Sequence, residues 1–253
     1  MTGDVRPTVS VVIPCFNSEG VVERAINSAL RQTYQPLEIL VYDDASTDGT
    51  REIVKEIATK NEKIKLFGGQ VNVGAGMARD FLLKQCKGRL IAFLDADDCW
   101  QPCKLATQVP RFAEDNVGIV TGYQRVIDEE RGDLGIRRIA LPVGFISMHF
   151  TNWLSTSMTV VRADLVEARS MPGARMRQDY AYWLKLMRAN RGMVCKVVRH
   201  ELGTVYRRRG SVSDSPIRNL KANFDIFRTE LKYPWFICLA LVLFQGLIRV
   251  ARK

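Results

Sequence analysis

The sequence predicts an α/β fold in which a mostly parallel sheet is covered by helices. Strand-like and helix-like segments alternate through the first hundred residues, the rhythm of βαβ units. Polar residues gather at the carboxyl end of each predicted strand, where open parallel sheets bind ligands. At 253 residues, with 47% hydrophobic and 25% charged content, the chain can also bury a full core.

The elements follow in order. "TVSVVIP" (8–14) is short and β-branched, and residues 21–32 place Val22, Ala25, Ile26, Ala29 and Leu30 at helical spacing. "LEILVYDD" (37–44) is a second strand, and "STDGT" (46–50) turns into a helix ending near Lys60. A short strand "KIKLF" (63–67), a helix from about Gly76 to Cys86 and the strand "RLIAFLD" (89–95) complete the alternation. The four strand ends read "PCFNSE", "DDASTD", "GGQVNVGAGMAR" and "DADD", and a binding site is expected there. Beyond Pro110 the rhythm fades. "GIVTGYQRVID" (118–128) predicts a strand, "RGDLG" (131–135) a turn and "STSMTVVRADLVEA" (155–168) a strand entering a helix. "QDYAYWLKLMRA" (178–189) predicts a helix with Ala181, Trp183, Leu184 and Met187 toward a core, and "YRRRGSVS" (206–213) a loop.

The net charge of +10 is local: residues 188–253 hold 14 Lys+Arg against 4 Asp+Glu, and the remainder balances at 23 of each. This basic third lacks the interleaved basic and aromatic residues of a nucleic-acid module, so no nucleic acid is expected. It also carries ten uninterrupted apolar residues, Trp235 to Phe244, followed by Arg249, Arg252 and Lys253. That run is short of the roughly 20 residues a spanning helix needs, and its aromatic and basic flanks suit a helix lying at an anionic membrane surface. The alternative is a core helix docked on the domain. The N-terminus lacks a basic start followed by a long apolar stretch, and six scattered cysteines are expected to stay reduced, which places the chain in the cytosol. Cys99 and Cys103 have no second cysteine pair after them, so a zinc knuckle is not expected.

"IAFLDADDCWQPCKL" (91–105) sets three carboxylates in four positions, and crowded carboxylates require positive charge nearby. In extended chain Asp95 and Asp97 project to one side and can share a hard cation, Mn²⁺ or Mg²⁺. Such an ion takes its remaining ligands from substrate phosphates, which points to a diphosphate substrate.

"VSVVIPCFNSE", "VYDDASTDGT", "NVGAGMARD", "FLDADDCWQPCKL", "QDYAYWLKL" and "YRRRGSVS" occur in the order seen in family 2 glycosyltransferases, which the chain resembles from about residue 8 to 213. The resemblance implies the GT-A fold, with a Rossmann-like sheet, and an inverting transfer of sugar from a nucleotide diphosphate donor, a UDP-sugar by preference. It implies that Asp44 holds the base, that Arg79, Pro14 and Asn17 lie beside the nucleotide, and that Asp95 and Asp97 place the metal on the diphosphate. It makes Asp179 the catalytic base, although Asp179 also reads as an N-cap for a helix starting near Tyr180. Arg207, Arg208 or Arg209 would add positive charge, and residues 152–158 are expected near the acceptor. Gln178 departs from the family pattern, which usually carries Glu there. The expected organisation is a nucleotide-sugar half (1–110), an acceptor half (111–225) and a membrane-associated C-terminal helix (226–253). The acceptor would be a glycan, lipid-linked, in bacterial surface polysaccharide synthesis at the inner face of the plasma membrane. Two alternatives remain: a dinucleotide enzyme using Gly74 and Gly76, whose motif follows the third strand instead of the first, and a non-catalytic nucleotide-binding or scaffold subunit.

Overall fold

β-branched and aliphatic runs build the centre of a nine-stranded sheet in the computed structural model, which describes residues 7–114, 116–139, 142–166, 176–207 and 216–251. The central strand β1 (Val9–Cys15) is buried along its whole length and pairs in parallel with β2 (Glu38–Asp43) and β4 (Leu90–Phe93). β3 (Ile64–Gly68) joins β2, also in parallel, and forms one edge. Period-two alternation divides these strands between two cores. Val9, Val11, Ile13, Ile39 and Val41 face α1 (Val22–Leu30) and α2 (Thr50–Lys60). Val12, Leu40 and Phe93 face the opposite core, which includes α3 (Ala75–Leu83) and a later helix described below.

Past β4 the chain makes β5 (Cys99–Trp100), α4 (Lys104–Gln108), β6 (Val117–Asp128) and β7 (Gly132–Arg137). "RGDLG", expected as a turn, mostly belongs to β7; the turn lies just before it. Gly132 and Gly135 at φ 75° and 80° let β7 fold back antiparallel on β6. After α5 (Phe145–Met148), β8 (Val160–Arg162) and α6 (Ala163–Val166) comes α7 (Gln178–Ala189), with Trp183, Leu184 and Leu186 fully buried. β9 (Val194–Arg207) was not expected, because "RHE" at 199–201 interrupts its apolar pattern; it pairs in parallel with β6 through several register shifts. The sheet order is β3-β2-β1-β4-β8-β6-β9-β5, with β7 beside β6. β8 is antiparallel to both neighbours, so the sheet is mixed beyond β4.

The helical segment expected over 226–253 starts earlier and is divided. α8 (Pro216–Asp225) runs into a turn of π-helix (Ile226–Glu230), and α9 (Trp235–Ala251) follows. α9 docks through buried Cys238 and Gln245, while Trp235, Phe236, Leu243 and Leu247 are 58–68% exposed. Among the described residues no helix is long and apolar enough to cross a membrane.

The amino ends of the strands are tied by one buried carboxylate. Glu38 accepts from Ser10 Oγ and the Lys87 N–H, both at 2.7 Å, and pairs with Lys65 at 2.7 Å. Ser10 Oγ accepts from the Gly88 N–H, and a Cβ at Gly88 would lie 2.4 Å from the Ser10 nitrogen, so only glycine fits. Burial pushes the Glu38 carboxyl up, but the bonds from Lys65, Ser10 and Lys87 outweigh it and hold it below the usual glutamate range. A depressed carboxylate contributes stability above its unfolded pKa and loses it as pH falls through the folded value. Glu38→Gln should cost about 1–3 kcal/mol at pH 7 in urea titrations. The deficit should shrink as the pH is lowered into the acid range.

Candidate active site

The carboxyl ends of β1, β2 and β4 and the first turns of α3 and α7 supply the polar residues of one site. At the end of β2, Asp44 is buried and its two carboxylate oxygens accept from the Val73 and Gly74 N–H groups, each at 2.8 Å. The next residue, Ala45, has φ 60°, a conformation that costs about 1–3 kcal/mol outside glycine. Asn17, at φ 45°, accepts from the Thr47 N–H at 2.9 Å and donates its own N–H to Ser46 Oγ at 3.0 Å, tying the β1 end to the β2 end. Pro14 sits inside β1 opposite Tyr42, a step before these loops. Gly74 opens α3 at φ 88°, and its N–H is held by Asp44. The glycines of the dinucleotide alternative therefore follow the edge strand β3, and Gly74 serves to close the Asp44 loop.

The carboxylate cluster after β4 is resolved by giving each acid a different environment. Arg79 of α3, itself buried, makes a direct ion pair with Asp95. Burial alone would lower the Arg79 pKa, but the Asp95 charge and hydrogen bond, with the charges of Asp179 and Asp97, raise it above the ordinary arginine value. One guanidinium thus stands in the field of three predicted site carboxylates from two separate elements. Asp97 is half-buried, and Arg24 of α1 donates to its main-chain oxygen at 2.7 Å. Asp98 turns inward, accepts from Ser157 Oγ and from the Tyr206 N–H at 3.1 Å, and is pushed well up by burial and by its two acidic neighbours. Ser157 Oγ in turn accepts from the Asp95 N–H at 3.1 Å, and the Arg24 guanidinium lies 3.8 Å from the Tyr206 ring centre.

Asp179 does not cap α7. The helix begins one residue before it, at Gln178, and Arg177 stands at the N-cap with φ 52° and no capping side chain. Asp179 accepts instead from Asn152 Nδ2 at 3.3 Å. Gln178 points at α3, where a Cβ on Gly76 would lie 2.3 Å from its Oε1. The segment 152–158 therefore touches both clusters, Asn152 at Asp179 and Ser157 at Asp95 and Asp98. Arg207 ends β9, while Arg208 and Arg209 lie outside the described residues.

Arg24 was not singled out from the sequence; Asn152 and Ser157 lie in the segment expected near the acceptor and Tyr206 in the "YRRRGSVS" block, but none was given a role. For Asn152 and Ser157 the available signal was polarity within the largely buried run "NWLSTSM"; Arg24 and Tyr206 act through pairings visible only in three dimensions. Among the described residues no three His, Cys, Asp or Glu side chains are grouped to hold a metal ion. Asp95 and Asp97 are partly exposed, Asp95 being paired with Arg79, whereas Asp98 is buried against Ser157 and Tyr206. Cys99 and Cys103 form no such group, and Cys103 instead meets His200 Nε2 at 3.4 Å.

The family model "Glycosyl transferase family 2" matches residues 10–171. The chain belongs to this family. It is a glycosyltransferase, and neither the dinucleotide-enzyme nor the scaffold alternative is retained. It is similar to the Escherichia coli UDP-Glc:alpha-D-GlcNAc-diphosphoundecaprenol beta-1,3-glucosyltransferase WfgD, 28% identical over 232 residues covering 89% of this chain and 87% of WfgD. Its fold is that of S. aureus TarS 1-349 solved in complex with UDP-GlcNAc, with a TM-score of 0.70 at 21% identity over 93% of this chain and 70% of TarS. The mannosyltransferase PcManGT from Pyrobaculum calidifontis, solved with GDP-Man and Mn²⁺, superposes with a TM-score of 0.70 at 20% identity over 91% of this chain and 66% of that one. The fold is the GT-A α/β architecture.

Ser157→Ala in this glycosyltransferase would strip Asp98 of one donor and leave the Asp95 N–H without its acceptor. Urea unfolding should show a loss of about 1–3 kcal/mol. A change below about 0.5 kcal/mol, the range of an ordinary surface substitution, would remove Ser157 from the frame of the site.

Proposed function

We propose that the enzyme transfers one sugar from a UDP-sugar, with inversion at the anomeric carbon, to a lipid-linked glycan in bacterial surface polysaccharide synthesis. The observation that carries this reading is the Arg79–Asp95 ion pair at the carboxyl edge of the sheet, with the 152–158 segment joining Asp179 on one side to Asp95 and Asp98 on the other. The names of WfgD and of the TarS complex, with their UDP-linked sugars, favour the donor class, and the WfgD name favours a diphosphate-lipid acceptor. In this reading Asp44, at the β2 end beside Pro14 and Asn17, receives the base. Asp95 and Asp97 hold Mn²⁺ or Mg²⁺, the Mn²⁺ in the PcManGT complex being the supporting comparison. When bound, the ion stabilises negative charge on the departing diphosphate.

The remaining steps belong to the chain's own residues. Asn152 orients the Asp179 carboxylate by donating to Oδ2. Asp179 takes the proton of the acceptor hydroxyl as its oxygen bonds to the anomeric carbon; the bond from that carbon to the diphosphate oxygen breaks, and its electron pair leaves with the nucleotide. Arg79 holds the Asp95 carboxylate in place through their ion pair. The exposed apolar face of α9, preceded in the chain by exposed Lys221, Arg228 and Lys232, rests on an anionic lipid surface at the cytoplasmic side and brings the site to its lipid-linked acceptor.

Calorimetry should show UDP binding that requires Mn²⁺ and is lost in Asp97→Asn. UDP binding unaffected by metal and by that substitution would refute the metal assignment. Asp179→Asn should bind UDP normally and lose roughly 10²–10⁴-fold in kcat; near-normal turnover would remove Asp179 as base. In flotation with phosphatidylglycerol vesicles, replacing Trp235, Phe236, Leu243 and Leu247 together by Ser should abolish binding. Equal flotation of both forms would end the membrane assignment.

A further inference from the structure

Gln245 interrupts the apolar run of α9 on its buried face, a position where a plain docking helix needs only an aliphatic residue. A buried amide is costly unless its donors and acceptor are matched, and here they are matched by three different elements. Its Oε1 accepts from Asn223 of α8 at 2.6 Å, and its Nε2 donates to the His149 main-chain oxygen at 2.6 Å and to the Tyr180 hydroxyl of α7 at 3.3 Å. The Tyr180 hydroxyl donates its own proton to the Met148 main-chain oxygen at 2.6 Å. Two consecutive carbonyls at the end of α5 are therefore clamped by one amide and one phenol. The His149 ring is fixed as well: a carbonyl can only accept, so Nδ1 donates to Phe145 O at 2.7 Å and Nε2 accepts from the Tyr233 hydroxyl at 3.0 Å.

Both routes out of this clamp end on one side chain. Tyr180 is the residue after Asp179. Three residues beyond His149 stands Asn152, which donates to Asp179 and whose own carbonyl is held by Arg137 at 2.7 Å. We infer that Gln245 is a positioning residue of the transfer reaction: from the C-terminal helix it sets the Asp179 carboxylate through Tyr180 on one side and through the 148–152 segment on the other. The inference rests on Asp179 being the base. A misplacement of about 1 Å at a reacting group can cost about 10²-fold, which is the scale on which a residue that touches no substrate can act.

The test compares Gln245→Met, which keeps length and apolar packing, with Tyr180→Phe, Asn152→Ala and Asp179→Asn in the full chain. Gln245→Met should lower kcat roughly 10- to 100-fold. The donor KM and the UDP Kd should stay within about twofold, since the clamp lies on the Asp179 side of the site. In the double variant Gln245→Met/Asn152→Ala the losses should not multiply, because both act on one carboxylate. Wild-type kcat in a folded Gln245→Met, multiplying losses, or a UDP Kd that weakens in parallel with kcat would overturn the inference. If Gln245→Met does not fold, Tyr180→Phe, which removes only the shared hydroxyl, decides by the same readings. An active Asp179→Asn would overturn the base assignment and this inference together; an inactive Asp179→Asn beside a fully active Gln245→Met would overturn this inference alone.

Discussion

Three carboxylates in four residues repel one another, and the strand that ends in them can exist only if something separates their charges. The separation is made by direction. Asp95 faces the buried guanidinium of Arg79, Asp97 stays half in solvent, and Asp98 turns into the protein toward Ser157 and the Tyr206 N–H. Each choice draws in a different part of the chain: α3 through Arg79, the 152–158 segment through Ser157, and the end of β9 through Tyr206. Arg24 closes the ring from α1 by holding the Asp97 carbonyl and stacking on Tyr206. The repulsion that makes the loop difficult is thus also what binds the two halves of the sheet to each other.

The same economy of partners appears at α7. Arg177 takes a left-handed conformation, Gln178 presses on Gly76, and Asp179 is left to Asn152 alone among the hydrogen bonds described above. The helix starts without a capping hydroxyl or carboxylate, and its first-turn acid turns to Asn152 instead of to the helix end. α9 completes the arrangement with two unlike faces, an exposed apolar one and a buried one built around an amide.

Much of this was legible in the sequence because short parallel strands and their polar ends are local patterns. The periodicity of residues 8–95 marked the central sheet, and the span 178–189 was read as a helix because its apolar positions repeat at helical spacing, although the N-cap reading of Asp179 put its start two residues late. β9 escaped because its side chains are half exposed and its register shifts break any period of two. β5 is only two residues long, and β7 is glycine-rich and exposed, so neither carries a hydrophobic signal. The site acids stood out through their crowding. Of their supporting residues, Asn152 and Ser157 lay in a segment expected near the acceptor, but what they hold, like the role of Arg24, depends on contacts with chain at least 27 positions away.

Gly76 and Gln178 lie about a hundred positions apart and occupy almost the same space, for a methyl group on the first would collide with the amide of the second. Because that amide ends a flexible side chain, an alanine at 76 would be absorbed by a shift at 178, and a shorter residue at 178 would permit a larger one at 76. The two positions should therefore drift together through descent, each change at one licensing a change at the other. What looks like a departure at Gln178 when the chain is read linearly is, in three dimensions, half of a paired choice whose other half is a glycine.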